Sequence, residues 1–293
     1  MQTELAGKVV CITGGSRGIG LSTAQAFAAE EAKVVICGRD PGNLKTAAEQ
    51  IRSATGRSID AIQADVTRVA DIDRMMTQIG ATHGRIDVLV NNAGTGIYKA
   101  FSDVTDEELL SGMSINFFAQ FRVTQRALPL LRKSDAGSVI NVSGRTAMRG
   151  NFPPGTSCTG PAKAAEVRFS IDLASELAEW RIRVNAVMPG VIETPDRFKL
   201  WESQALKMNL DASMAEEVRR RLERSVSGGK RWRLGQPEDI ANVIVFLASP
   251  LAAYVNGVAL MVDGGPHIKS YVSELYTQQA AIIQELAEKN SKQ

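Results

Sequence analysis

Histidine is scarce in this chain: His83 and His267 lie far apart, with no cysteine or carboxylate constellation around either. That argues against a dedicated metal centre, which needs several convergent ligands. Cysteine is scarce too. Cys11, Cys37 and Cys158 are an odd set without metal spacing, and the first two sit in apolar runs suited to a core, so no disulfide framework is expected. Aromatic residues make up 5% of the chain and do not alternate with basic runs, and the formal net charge is only +2, a balance that offers no nucleic-acid surface. No apolar stretch reaches the roughly 18 residues a bilayer span requires. The opening MQTELAGKVVCITGG enters a strand-like run without a charged and then greasy leader, so a cytoplasmic protein with no membrane partner is the expectation.

What is present is alternation. KVVCITGG, KVVICGR, IDVLVNNAG, SVINVSG, RVNAVMPG and VALMVDGG are near-continuous apolar runs closed by glycine or a polar residue, as in parallel strands buried on both faces. Between them, PGNLKTAAEQIRSAT and RVADIDRMMTQIG are amphipathic, and TDEELLSGMSINFFAQFRVTQRALPLLRK opens with a capping box, Thr105 to Glu108. Strands alternating with helices predict an α/β, Rossmann-type doubly wound parallel sheet with helices on both faces. With no repeat, low-complexity tract or linker, residues 1–267 read as a single domain. Residues 195–235 break the rhythm with a long charged stretch, and residues 268–293 read as a C-terminal helical extension.

The first chemical signal is TGGSRGIG, from Thr13 to Gly20, directly after the first strand and before the helical run LSTAQAFAAE. Glycines there permit a tight turn and close backbone approach to a pyrophosphate, and the helix N-terminus offers free N–H groups and a favourable dipole. Phosphate binding at Thr13, Gly14, Ser16, Arg17, Gly18, Ile19 and Gly20 is the expectation.

The spacing Thr-Gly-x-x-x-Gly-x-Gly resembles that of the short-chain dehydrogenase/reductase family, and the resemblance extends over nearly the whole chain. Gly14, Gly18 and Gly20 match its cofactor glycines. Asp65 and Val66, in QADVT, match its adenine contact; Asn91, Ala93 and Gly94, in NNAG, match the strand that backs the cofactor. Pro189, Gly190, Ile192 and Thr194, in PGVIETP, match the nicotinamide-side loop. The resemblance makes residues 1–267 a dinucleotide-binding and catalytic domain and residues 195–235 a substrate lid.

In VVICGRD, at the end of the second strand, an acidic residue would hydrogen-bond a ribose 2′-OH, whereas Arg39, helped by Arg17, supplies cations for a 2′-phosphate. NADP(H) is therefore favoured over NAD(H), although the neighbouring Asp40 has the chemistry to engage a ribose.

The family's catalytic set is an asparagine in the long central helix, a serine after the fifth strand and a Tyr-x-x-x-Lys on the next helix. Asn116, Ser143 and Lys163 match three of these, and Thr159 stands at the tyrosine position. The resemblance implies that Lys163 hydrogen-bonds the nicotinamide ribose and lowers the acid's pKa. It also implies that Ser143 holds the substrate oxygen and Asn116 positions a water.

A phenol titrates near 10, whereas an aliphatic hydroxyl is about as weak an acid as water, at roughly 15.7; the gap is about 8 kcal/mol for full ionisation. Thr159 is also shorter, and is expected to leave room for water or substrate. Three explanations stay open. One is a tyrosine-to-threonine replacement in an ordinary NADP(H)-dependent carbonyl/alcohol oxidoreductase, with impaired turnover. Another is an enzyme whose reaction needs no phenol, such as conjugated C=C reduction or a redox-neutral isomerisation, elimination or cyclisation. The last is a non-catalytic NADP(H)-binding protein, against which retention of Asn116, Ser143 and Lys163 argues. Cys158 is a weak substitute acid, because it is offset by about 100° around the helix from Thr159.

The substrate is a small molecule, with Ser143, Met148, Phe152 and Phe198 as candidate pocket wall and Phe198, Leu200 and Trp201 giving the lid an apolar character. Phe117, Phe118, Phe121, Val167, Phe169 and Ile171 lie on the helices through which the family assembles, so a homodimer or homotetramer is expected. The tail, with Tyr271, Leu275, Ile282 and Leu286 near helical spacing, is suited either to a neighbouring subunit or to its own domain.

Overall fold

Every residue of Val9–Thr13 is buried, and this run forms β1 in a computed structural model that describes residues 3–148, 155–195 and 234–265, with 281, 282, 284, 285 and 288. On one side β1 pairs in parallel with β2, Lys33–Gly38, which pairs with β3, Asp60–Gln63. On the other side it pairs with β4, Val88–Asn91, followed by β5, Ser138–Val142, β6, Arg183–Pro189, and β7, Ala259–Val262. The seven-stranded parallel sheet has the order β3-β2-β1-β4-β5-β6-β7. Chain direction across the sheet reverses between β1 and β4, which opens a crevice at the C-terminal ends of those two strands. The doubly wound fold expected from the alternation is the fold observed.

β3 is the strand the apolar runs did not announce. It lies at the sheet edge, and only Ile62 of its DAIQ sequence is buried, so there was little hydrophobic signal to read.

Each helix starts and stops for a local reason. α1, Gly18–Ala29, follows the glycine turn. In α2, Pro41–Thr55, proline occupies the first turn, the Asp40 carboxylate accepts from the Asn43 amide at 2.6 Å, and Gly56 closes the helix at φ 71°. α3, Val69–His83, buries Ile72, Met75, Met76 and Ile79, and ends at Gly84 with φ 77°. α4, Asp106–Met113, carries both halves of the expected capping box, with the Glu108 amide donating to the Thr105 hydroxyl and the Thr105 amide to the Glu108 carboxylate. The single long helix predicted after it is interrupted by a π-helical turn, Ser114–Phe118, before α5, Ala119–Leu131. α6, Thr159–Glu176, and α7, Pro237–Ala248, follow. α1 packs against α2 and α7, and α3 against α5.

Asp87, just ahead of β4, is a buried anchor. Its carboxylate accepts from the Val9 amide at 2.8 Å and the Ser134 hydroxyl at 2.7 Å, and pairs with the Arg85 guanidinium at 3.0 Å. It thereby ties the starts of β1 and β4 to the end of α5.

Backbone contacts group the chain into two units, Met1–Pro189 with Pro237–Met261, and Gly190–Gln236 with Val262–Gln293. In the second, the Gly190 amide donates to the Val262 carbonyl and the Glu193 amide to the Gly235 carbonyl, while Ile192 bridges to Gly235 in parallel. A side chain at Gly190 would meet the Asp263 Cβ at 2.5 Å, so only glycine fits there. The expected lid core, including Phe198, and Phe152 of the candidate pocket wall lie outside the described residues, as does most of the C-terminal extension. Among the described residues no helix is long and apolar enough to cross a membrane, and no group of three or more His, Cys, Asp or Glu side chains is arranged to hold a metal ion.

Candidate active site

The turn after β1 closes onto the end of β4. The Thr13 hydroxyl accepts from the Asn92 and Ala93 amides at 3.0 Å each, and Asn92 Nδ2 donates back to the Thr13 carbonyl at 3.0 Å and the Gly14 carbonyl at 3.1 Å. Gly14 and Gly18 adopt left-handed φ values of 65° and 55°. A side chain at Gly20 would come within 2.2 Å of the Gly14 carbonyl oxygen and 2.5 Å of Asn92 Nδ2, which is why the loop can fold over the helix start. At that start Arg17 occupies the N-cap position in extended backbone, no side chain caps the helix, and no acidic residue stands in the first turn. Among the described residues no side chain caps these amides, and with the helix dipole and the tight cradle they fit a pyrophosphate.

The strand ends beside this turn present the other predicted cofactor residues. Arg39 is exposed beyond β2. Asp40 is engaged as the α2 cap. Asp65 accepts from the Thr67 amide at 2.9 Å and the Thr67 hydroxyl at 2.7 Å, and Val66 beside it is buried. Asn91 is buried and donates to the Thr124 hydroxyl and to Asn141 Oδ1, both at 2.8 Å, so its side chain bridges β4 to α5 and β5.

Two of the four predicted catalytic residues meet at one glycine, and a third is tied to them through the Lys163 backbone. A Cβ on Gly94 would lie 2.8 Å from Asn116 Oδ1 and 3.2 Å from Lys163 Nζ, so the missing side chain is the space those two groups approach. Asn116 reaches it from the π-helical turn, where its Nδ2 donates to the Gly112 carbonyl at 2.8 Å and the Thr95 carbonyl at 3.0 Å, and its Oδ1 accepts from the Thr95 amide at 3.1 Å. Widening the helix by one residue frees carbonyls, and Asn116 satisfies one of them. Ser143 follows β5 and donates to the Lys163 carbonyl at 2.8 Å, which joins strand to helix.

Thr159 behaves differently. Its hydroxyl is buried, accepts from the Ile97 amide at 2.7 Å and donates to the Ile97 carbonyl at 2.8 Å. Cys158 faces α4, with its Sγ 3.6 Å from the Glu108 carbonyl oxygen, and burial first, then the Glu108 charge, pushes its thiol pKa up. Met148 is exposed, and a cavity of about 540 Å³ opens beside it in sequence, lined by Thr146, Ala147, Gly155, Gly160 and Ala164. Gly160 and Ala164 in that wall are one position beyond Thr159 and Lys163, roughly 100° around the helix.

Glu166 belongs to this site and was not anticipated. It is 0% exposed and pairs with Lys163 Nζ at 3.0 Å, one helical turn away, while the Lys163 side chain is itself only 11% exposed. Its second oxygen, Oε2, has no hydrogen-bond partner. Burial raises its pKa, although the Lys163 ammonium and the nearby Ser143 hydroxyl both draw it down. The i,i+3 spacing of Lys163 and Glu166 was visible in the sequence. Without the fold, however, a Lys–Glu pair on a helix reads as surface.

The structure thus defines a doubly wound α/β protein with a glycine turn at its switch point and the Asn116 amide and Lys163 ammonium meeting at Gly94 nearby. Residues 14–267 match the family model described as enoyl-(acyl carrier protein) reductase, and the chain belongs to the short-chain dehydrogenase/reductase family. It is 35% identical over 262 residues to 3-oxoacyl-[acyl-carrier-protein] reductase FabG of Thermotoga maritima, covering 89% of this chain and 98% of the relative. It is 31% identical to a tropinone reductase homolog of Arabidopsis thaliana, covering 92% and 93%. Among solved structures, L-sorbose reductase from Gluconobacter frateurii, complexed with NADPH and L-sorbose, superposes with a TM-score of 0.81 at 30% identity, covering 90% of this chain and 98% of that one.

Proposed function

We propose that the protein is an NADP(H)-dependent oxidoreductase that interconverts a carbonyl and an alcohol on a small molecule. The observation that carries this reading is the convergence of Asn116 Oδ1 and Lys163 Nζ on the space left by Gly94, beside a glycine cradle that fits a pyrophosphate. The likeness to FabG reductases and to an NADPH-bound sorbose reductase supports it. So does the nucleoside end: Asp40 already serves as a helix cap, and Arg39 is exposed beside it. An available guanidinium favours a 2′-phosphate over a bare ribose.

When bound, the nicotinamide supplies or accepts the hydride. The first-turn amides of α1 hold the pyrophosphate, and Arg39 with Arg17 recognises the 2′-phosphate. Lys163 turns its ammonium toward the ribose, and Ser143 orients the carbonyl oxygen with its hydroxyl. Asn116, held rigidly by Gly112 and Thr95, keeps the π-helical turn and the segment after β4 in register. Asp65, Val66, Asn91, Ala93, Pro189, Ile192 and Thr194 complete the cofactor contacts in this reading.

A second reading, reduction of a conjugated C=C bond, is favoured by the engagement of the Thr159 hydroxyl with Ile97, which leaves no phenol-like acid at that position. It also suits the enoyl reductase description of the family model. In this reading the protein works in the cytoplasm as a homodimer or homotetramer. The discriminating experiment combines NADPH-binding fluorescence with steady-state turnover over a panel of ketones, 3-oxoacyl thioesters and conjugated enones. Failure to bind NADPH would overturn the assignment, and turnover of enones alone would select the second reading.

A further inference from the structure

A site that lacks a phenol still has to move a proton, and the group closest to hand is Glu166. Its carboxyl is completely buried, on the same helix face as Lys163 and 3.0 Å from its ammonium. One of its oxygens has no hydrogen-bond donor. A buried carboxylate with an unsatisfied oxygen is a poor arrangement for a fixed negative charge, whereas a neutral acid has only one oxygen that must accept, and its O–H is available to give. Lys163 is the one charged group bearing on it among the described residues; the Ser143 hydroxyl approaches from the end of β5, and the Ser170 hydroxyl, on the same helix, donates to the Glu166 backbone carbonyl and accepts from Asn141 Nδ2.

We infer that Glu166 stores the proton consumed in carbonyl reduction and passes it through Ser143 to the substrate oxygen, in place of the missing phenol. This rests on the oxidoreductase reading above. The carbonyl carbon takes a hydride from NADPH, the C=O π pair moves onto oxygen, and that oxygen takes the Ser143 hydroxyl proton. Ser143 Oγ in turn takes the Glu166 proton. One C–H and one O–H bond form, the π bond breaks, NADPH becomes NADP⁺, and Glu166 is left as a carboxylate to be reprotonated from solvent. For this step the Ser143 hydroxyl rotates away from the Lys163 carbonyl that it meets at 2.8 Å.

The arrangement also couples loading of the acid to the cofactor. As the Lys163 ammonium turns toward the ribose, Glu166 loses its one cation, and its affinity for a proton rises. NADPH binding should then draw a proton from solvent at neutral pH.

The test is calorimetric titration of the full-length protein with NADPH in two buffers of different ionisation enthalpy, beside the pH profile of kcat for ketone reduction. The native protein should take up a fraction of a proton, up to one, on binding. Glu166→Gln, an isosteric change, should bind NADPH without uptake, lose kcat by roughly 10²-fold and flatten the profile's proton-donor limb. Glu166→Asp, which keeps the acid and shortens its reach, should retain uptake and recover part of kcat; it also serves if the glutamine variant does not fold. Absence of NADPH binding by the native protein would remove the oxidoreductase reading itself. NADPH binding without proton uptake, or a Glu166→Gln variant with native uptake or an unchanged pH profile, would overturn the role of Glu166 and leave that reading standing, whereas a native protein that binds with uptake yet reduces no carbonyl would overturn both.

Discussion

The Thr159 hydroxyl accepts a hydrogen bond from the Ile97 amide at 2.7 Å and donates one to the Ile97 carbonyl at 2.8 Å. One side chain therefore fastens the N-terminus of α6 to the segment after β4. Its proton is committed to that backbone carbonyl, which removes it from substrate chemistry as effectively as its weak acidity does.

Thr159→Tyr is expected to trade that fastening for a phenol. The Ile97 amide and carbonyl lose their partner, so stability should fall by about 1–3 kcal/mol in urea unfolding. If Ser143, Lys163 and Asn116 form a competent frame, ketone reduction should rise by about 10²-fold or more with NADPH affinity little changed. A folded, NADPH-binding variant with no reductase activity on any ketone would count against the frame.

Arg39→Asp should invert cofactor preference. It removes a cation from the 2′-phosphate and places a like charge there, so NADPH affinity should fall by roughly 10- to 100-fold more than NADH affinity, measured by fluorescence at one ionic strength. Equal losses for both cofactors would show that Arg39 does not contact the 2′-phosphate.

Asp87→Asn should destabilise the sheet in a pH-dependent way. Burial pushes the Asp87 carboxyl pKa up, but the Val9 amide, the Ser134 hydroxyl and Arg85 together hold it below its ordinary value. The folded chain thus binds that proton less tightly than the unfolded chain. The stabilisation is complete above the unfolded carboxyl pKa and is lost as pH falls through the folded one. The variant should lose about 1.5–3 kcal/mol near pH 7, and the difference from the native protein should shrink as pH drops below about 4. Parallel urea curves at the two pH values measure it.

Phe121 and Ile171 are 43% and 40% exposed beside a ring cluster in which Phe117, Phe121 and Phe169 meet at centroid distances of 5.3 to 6.4 Å. A second copy of the chain is the expected cover for this face. Phe121→Glu should lower the mass seen by light scattering at micromolar concentration while leaving the far-UV spectrum unchanged. A native protein that scatters as a monomer would refute the assembly.

Much of this protein was legible from local pattern. The apolar runs that became β1, β2, β4, β5 and β6 are largely buried on both faces, β7 is half-buried, and none needed context to be read. The Thr105–Glu108 capping box and the Pro41 and Gly56 boundaries of α2 are chemistry within a few residues, and the glycine turn from Thr13 to Gly20 carries its steric demands in its own spacing. β3 escaped notice because an edge strand with one buried residue carries almost no hydrophobic signal.

What tertiary structure alone decided depends on partners distant in sequence. Thr159 spent its hydroxyl hydrogen bond on the Ile97 carbonyl, and Asn91 found Thr124 and Asn141. Asp87 became an anchor by meeting Val9, Ser134 and Arg85. Lys163 and Glu166 show the division most clearly. Their one-turn spacing is written in the sequence and would describe a solvated ion pair on any exposed helix, but packing α6 against β5 buries both groups, and burial turns an ordinary charge pair into one that can hold or release a proton.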